Sequence, residues 1–309
     1  MKPTFDELFE NIIQYPDFAY QERLNRLVGL DENKEKLTKV LSLLVNPEGL
    51  DEWIDKHHKG AKKILDYVLR RPPLVVLEGD VGSGKTELAT TIGDAVARQE
   101  KINIQLFPLS LSARGQGLVG EITKLISAAF DYAIERAKML KSHSAKNSRG
   151  AIILLVDEAD ALTQSRENSQ MHHEDRAGVN SFIRGIDRIT NSELPIAVIM
   201  CTNRMSALDP AIRRRAAEIL SFYRPTENQR EAVLKEPLLE FGFTESQIKD
   251  LVKATGKADE REYGFTFSDL TQRLLPSIVL DAYPDKSVTP ERAKIITAQI
   301  KPTPPFKDK

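Results

Sequence analysis

The chain has 309 residues, a net charge of −1, 41% hydrophobic and 29% charged residues, and one cysteine, Cys201. That is an ordinary globular balance, long enough for about two domains, and it excludes an intramolecular disulfide and a whole-chain field for nucleic acid or anionic membrane. Apolar runs such as 151–156 fall far short of the ~20 residues of a membrane helix, and the acidic start (Asp6, Glu7) has no signal-like segment, so a soluble cytoplasmic protein is expected.

Residues 1–26 are mixed, aromatic-bearing and too few to fold alone. Asp31 is placed to cap a helix whose Leu37, Val40, Leu41 and Leu44 share one face. Asn46-Pro47-Glu48-Gly49 breaks it, and a second amphipathic stretch runs from Trp53 to Leu69. The pattern then changes. Leu74-Val75-Val76-Leu77 reads as a buried strand closed by Gly79, followed by helix-period sequence over 86–98. Strand-like 102–107, a loop with Gly115, Gly117 and Gly120, and a helix over 121–140 come next. Apolar strands follow at 151–156, 196–201 and 218–222, with a helix ending near Ile189 between the first two. Apolar strands alternating with helices predict a parallel sheet covered on both faces. From Pro225 onward helical patterns dominate, and the Pro-rich end (Pro302, Pro304, Pro305) reads as frayed. The expected domains are a short segment 1–26, an α/β domain 27–223, a helical domain 224–300 and a flexible tail 301–309.

The chemistry concentrates at strand ends. Gly79-Asp80-Val81-Gly82-Ser83-Gly84-Lys85-Thr86 matches the phosphate-binding loop in full, with a strand before it and a helix after it. Glycines let the backbone aim N–H groups at phosphate oxygens, and the following helix adds its positive end. Lys85 would reach the β- and γ-phosphates and Thr86 would ligate Mg²⁺, with Glu87 in the same first turn. With glycine at about 7% of residues, a chance match in a chain of this length is on the order of 1%. The strand 152–156 runs into Asp157-Glu158: Asp157 for Mg²⁺, Glu158 to orient and deprotonate the attacking water. Asp160 reads as a helix cap or a solvated acid. Asn203, at the end of strand 196–201, either bonds the attacking water or γ-phosphate or simply caps the next turn. Cys201 reads as a small buried side chain. Asp209 and Pro210 open a short helix bearing Arg213, Arg214 and Arg215. By spacing alone, these arginines serve equally well as fingers for a neighbour's nucleotide or as a basic surface. The adjacent histidine pairs, 57–58 and 172–173, have no ligand cluster beside them, so zinc is not expected.

As an ordered set, Val28-Gly29-Leu30, the loop 79–86, Asp157-Glu158, Thr202-Asn203-Arg204 and Leu208-Asp209-Pro210-Ala211 with its arginines resemble the AAA+ ATPases over residues 27–280. The resemblance implies a P-loop αβα sandwich with a parallel five-stranded sheet and a small helical lid. It implies ATP and Mg²⁺ as ligands, contacts from Val28 and Gly29, and a homo-hexamer with ATP at subunit interfaces. Arg214 and Arg215 then stand as trans-acting fingers, and Arg273, within Gly264 to Pro276, looks like a sensor-2 arginine. Its Arg-x-Leu-Pro setting is similar to that of the ATPases that remodel HORMA-domain proteins, in the compact bacterial form of antiphage, cyclic-nucleotide signalling systems. Leu118 and Val119, flanked by Gly117 and Gly120, fall where pore loops lie in that family, although Leu118 replaces the usual aromatic residue. Residues 170–176 are a candidate second loop of that kind. The function so implied is ATP-driven remodelling of a HORMA-domain client, with no membrane and no direct nucleic-acid contact. A clamp-loader or initiator role, a general unfoldase and a scaffold without turnover are the alternatives. Near-neutral charge speaks against the first and an intact Glu158 against the last.

Overall fold

The computed structural model describes residues 8–9, 11–58, 60–110, 121–140, 150–162, 173–204, 208–258 and 261–306. The candidate pore residues Leu118 and Val119, and residues 170–172 of the second candidate loop, lie outside them. The chain forms two compact units: Met1–Asn25, Glu32–Glu78 and Thr86–Ser221 in one, and Arg26–Asp31, Gly79–Lys85 and Phe222–Lys309 in the other.

The first unit is an α/β layer structure. Its strands are β1 (Ile13–Tyr15), β2 (Leu74–Gly79), β3 (Asn103–Ser110), β4 (Gly150–Asp157), β5 (Ile196–Thr202) and β6 (Ala216–Phe222), in the order β1-β3-β4-β5-β2-β6. Strands β3, β4, β5 and β2 pair in parallel. The loop after β2 therefore leads into a crossover that passes two strands before β3, which brings the carboxyl ends of β2, β5 and β4 to one edge of the sheet. Every residue of β2 and β5 is buried, as is β4 up to Val156. Leu74, Val76, Ile152, Leu154, Val198 and Met200 form one core with helices α6 (Glu121–Leu140) and α7 (His173–Thr190). The alternate residues Val75, Leu77, Ile153 and Ile199, which point to the opposite face, are equally buried. On helix α2 (Asp31–Val45) the buried residues Leu37, Val40, Leu41 and Val45 follow the helical period.

Two expectations are corrected. The sheet has six strands, not five: Ile13–Tyr15 pairs antiparallel with Leu106, Gln105 and Ile104 of β3. The segment that is too short to fold alone thus folds onto the sheet edge. Helix α1 (Phe18–Arg26) follows it. The ring of Tyr15 is buried against Gly93 of helix α5 (Lys85–Glu100); its hydroxyl donates to the Thr90 carbonyl, and burial pushes its pKa up. The stretch expected to be one helix from Trp53 to Leu69 is two, α3 (Glu48–His57) and α4 (Lys62–Leu69), separated at Gly60, whose φ of +93° no helix accommodates.

The second unit is helical beyond β6. Helices α9 (Glu227–Glu240) and α10 (Glu245–Ala254) each open on a complete capping box, Thr226 with Gln229 and Thr244 with Gln247; the short α8 (Pro210–Arg213) precedes them in the other unit. Helices α11 (Leu275–Ala282) and α12 (Pro290–Gln299) complete a core of Leu234, Leu238, Leu251, Phe265, Leu270 and Ile296. Residues Asp269–Leu274 form a π-helical turn, with the Leu275 N–H reaching the Leu270 carbonyl. Pro276 explains it. A proline has no N–H for the carbonyl four residues back and its ring clashes with it, so the preceding turn opens. The expected flexible tail is tied down at its start: the Lys301 and Thr303 carbonyls both accept hydrogen bonds, and Pro302 is buried.

A Cβ on Gly93 would stand 2.3 Å from the Tyr15 ring. Gly93→Ala should therefore cost about 1–3 kcal/mol through overpacking, read by urea denaturation; wild-type stability would show that β1 is not held this way.

Candidate nucleotide-binding site

The phosphate-loop residues Gly79–Lys85 belong to the helical unit. Gly79 has φ +149°, and a Cβ there would meet the Phe222 carbonyl oxygen at 2.0 Å, so only glycine fits. Gly82 has φ +69° and lies against Thr266 and Ser268; the Ser268 N–H donates to its carbonyl at 3.1 Å. The loop is thereby stitched to the segment that leads into the π-helical turn. The buried Lys85 ammonium donates to the carbonyls of Gly79 (3.0 Å) and Asp80 (2.7 Å), and the Ser83 hydroxyl to that of Asp80 (2.7 Å). Asp80 accepts from the Val81 N–H and is paired with Arg224 Nε at 2.5 Å. The Gly29 carbonyl accepts from Gln229 at 2.6 Å, and Val28 beside it is exposed.

Arg224 is a connector that sequence reasoning missed. Besides Asp80, it donates to the carbonyls of Gly264 and Thr303, each at 2.7 Å, and stacks on Tyr263. Arg273 is exposed on the π-helical turn and donates to the fully buried Asp269 (2.8 Å) and to the Lys301 carbonyl (2.9 Å). Burial alone would raise the Asp269 pKa. Hydrogen bonds from Thr266, Thr303 and Arg273 outweigh it and hold the carboxyl below its ordinary range.

In the α/β unit, the exposed Thr86 hydroxyl lies 3.2 Å from Asp157 Oδ1, which also accepts from the Glu158 N–H at 2.9 Å. Glu158 has φ +50°, a left-handed conformation that costs a non-glycine residue about 1–3 kcal/mol. Its side chain is exposed. Glu87, expected beside the nucleotide, makes a two-pronged pair with Arg23 of α1, both bonds 2.8 Å. Asp160 is neither a simple cap nor merely solvated: it accepts from Thr202 Oγ1 (2.7 Å) and from the Asn203 N–H and side-chain amide (2.8 and 3.2 Å). It thus fixes which way the Asn203 side chain faces. The arginine run separates as well. Asp209 caps α8 through the Ala211 N–H. Arg215 is committed to Asp187 of α7 through two bonds of 2.6 and 3.0 Å, which raises its pKa further. Arg214 is exposed, with one long contact to the Pro210 carbonyl at 3.4 Å. Cys201 is buried and free of disulfide.

Among the described residues no group of three His, Cys, Asp or Glu could hold a metal by itself. A hydroxyl and a carboxylate 3.2 Å apart fit Mg²⁺, which takes one or two protein oxygens and completes its shell with water and phosphate.

Residues 75–224 match the model of the ATPase family associated with various cellular activities (AAA). CD-NTase-associated protein 6 of Escherichia coli (strain MS 115-1) is 62% identical over all of this chain and 99% of its own length. A chain of the solved E. coli MS115-1 HORMA:CdnC:Trip13 complex superposes with a TM-score of 0.90 at 61% identity, covering 99% of this chain and 100% of that one. The structure of Rhizobiales Trip13 matches with a TM-score of 0.74 at 55% identity, covering 96% and 100%.

Asp160→Ala would strand the buried Thr202 hydroxyl and two donors of Asn203. A stability loss of about 1–3 kcal/mol in urea denaturation is expected, with Asp160→Asn losing less.

Proposed function

The chain belongs to the AAA family of ATPases, and from that premise we propose that it forms a hexameric ring that uses ATP, with Mg²⁺, to remodel a HORMA-domain protein in an antiphage, nucleotide-signalling system. One observation carries this reading: full-length similarity, at 61% identity, to a chain solved together with HORMA and CdnC proteins.

In this reading the backbone N–H groups of Val81 to Lys85 and the Lys85 ammonium hold the phosphates, while Val28 and Gly29 contact the base. Thr86 and Asp157 hold Mg²⁺, which when bound neutralises phosphate charge. The Glu158 carboxylate takes the proton of the attacking water, and the Asn203 amide, oriented by Asp160, aligns that water. Arg273 reads the γ-phosphate from the helical unit. Of the two arginines expected as fingers, Arg214 is the one we assign to the neighbouring subunit's nucleotide, because Arg215 is engaged by Asp187. Arg215 holds α8, and Arg214 with it, against α7. ATP hydrolysis would then depend on assembly. Leu118 and Val119 remain the proposed client-facing residues.

Glu158→Gln should retain ATP binding, lose about a hundredfold or more of turnover, and stay bound to a HORMA protein in a pull-down; persisting hydrolysis would reject the assigned base. Arg214→Ala should lose about a thousandfold and regain part of it when mixed with Glu158→Gln subunits, since each mutant supplies what the other lacks at a shared interface. Turnover stimulated by double-stranded DNA and by no HORMA protein would overturn the remodelling reading.

A further inference from the structure

Asp269 makes more bonds than a helix cap requires. Its Oδ2 accepts from the Thr266 N–H at 3.0 Å while Thr266 Oγ1 accepts from the Asp269 N–H at 3.0 Å, a reciprocal cap complete in itself. The second oxygen is shared. Asp269 Oδ1 accepts from Arg273 Nη1 at 2.8 Å and from Thr303 Oγ1 at 2.7 Å, and the Thr303 N–H adds a bond to Oδ2 at 3.0 Å. Asp269 is wholly buried, and among the described residues its one ion pair is to Arg273. A buried carboxylate with a single countercharge holds that charge strongly, because losing it would leave the acid uncompensated. The remaining contact on Arg273 Nη1 is the Lys301 carbonyl, 2.9 Å away. Of the four residues that fix this guanidinium, directly or through the carboxylate, Asp269 and Thr266 lie beside it in the turn and Lys301 and Thr303 come from the C-terminal stretch. The same end reaches the phosphate loop, since the Thr303 carbonyl accepts from Arg224, whose Nε holds Asp80.

We propose that Asp269, completed by the C-terminal strap Lys301–Thr303, is the positioning residue of Arg273, so that the end of the chain sets how well this ATPase distinguishes ATP from ADP. The inference rests on the reading of Arg273 as a γ-phosphate contact. Asp269 and Thr303 act through Arg273 and do not themselves touch the nucleotide. Without the strap, Asp269 would be open to water and Arg273 would keep one anchor on an exposed turn.

The test uses the full chain, with ATP and ADP affinities and steady-state turnover measured alongside urea denaturation. Thr303→Val removes only the hydroxyl donor. It should weaken ATP binding or turnover about tenfold, the effect of one hydrogen bond to a charged group, leave ADP affinity in place, and be rescued by Thr303→Ser. In an Arg273→Ala background, Thr303→Val should change nothing further. Equal loss of ATP and ADP affinity, or the same loss with Arg273 absent, would make Thr303 a purely structural tie and overturn the inference. If Arg273→Ala impairs ATP use and Thr303→Val does not, the strap alone is refuted. If Arg273→Ala leaves ATP use unchanged, the nucleotide role of Arg273 fails, and the inference with it.

Discussion

A parallel strand covered on both faces has no room for polar side chains along its length, so chemistry can sit only where the strand stops. The sheet of this ATPase follows that constraint closely. In β2, β4 and β5 the buried runs end at Gly79, Asp157 and Thr202. Glu78 is the one carboxylate buried within a run, and Ser221 donates to it at 3.2 Å. The crossover after β2 gathers these three ends at one edge. In the α/β unit that edge carries a hydroxyl beside a carboxylate, Thr86 and Asp157, and an acid and an amide, Glu158 and Asn203.

In each unit a few acids give direction to neighbouring polar groups. Glu158 leaves β4 in a left-handed conformation, and its side chain is exposed. Asp160 orients Asn203, Asp187 restrains Arg215 and leaves Arg214 available, and Asp269 holds Arg273. In the proposed reading, Asp160 and Asp269 thus fix two polar groups, Asn203 and Arg273, that the nucleotide or its attacking water would use. Such groups keep their geometry before ligand arrives, which is what electrostatic preorganisation requires.

The parts readable in the sequence are the local ones. Gly79 to Thr86 is legible because the demand falls on consecutive backbone dihedrals, and Asp157-Glu158 because the apolar run before them fixes where the strand ends. The helical caps at Thr226 and Thr244 are also local, visible as Thr-x-x-Gln. What escaped depends on distant pairs. β1 is three residues long and has no period of its own, so only its partner Ile104–Leu106 makes it a strand. Asp160 with Thr202, Arg215 with Asp187, Arg224 with Asp80 and Asp269 with Thr303 join residues 28 to 144 positions apart, and no spacing rule links them. One signal was available: Pro276 immediately after the Arg273 turn announces a disturbed helix, and disturbed helices often mark working sites.

The pairing of β1 with β3 has a consequence for how this chain stands among other chains. An uncovered edge strand offers a row of N–H and C=O groups to any extended segment nearby. Residues 13–15 occupy that row over Ile104–Leu106 and end after three residues, while Tyr15 is secured against α5. With that row taken by β1, the outermost strand on that side of the sheet is only three residues long, a short template for any foreign segment.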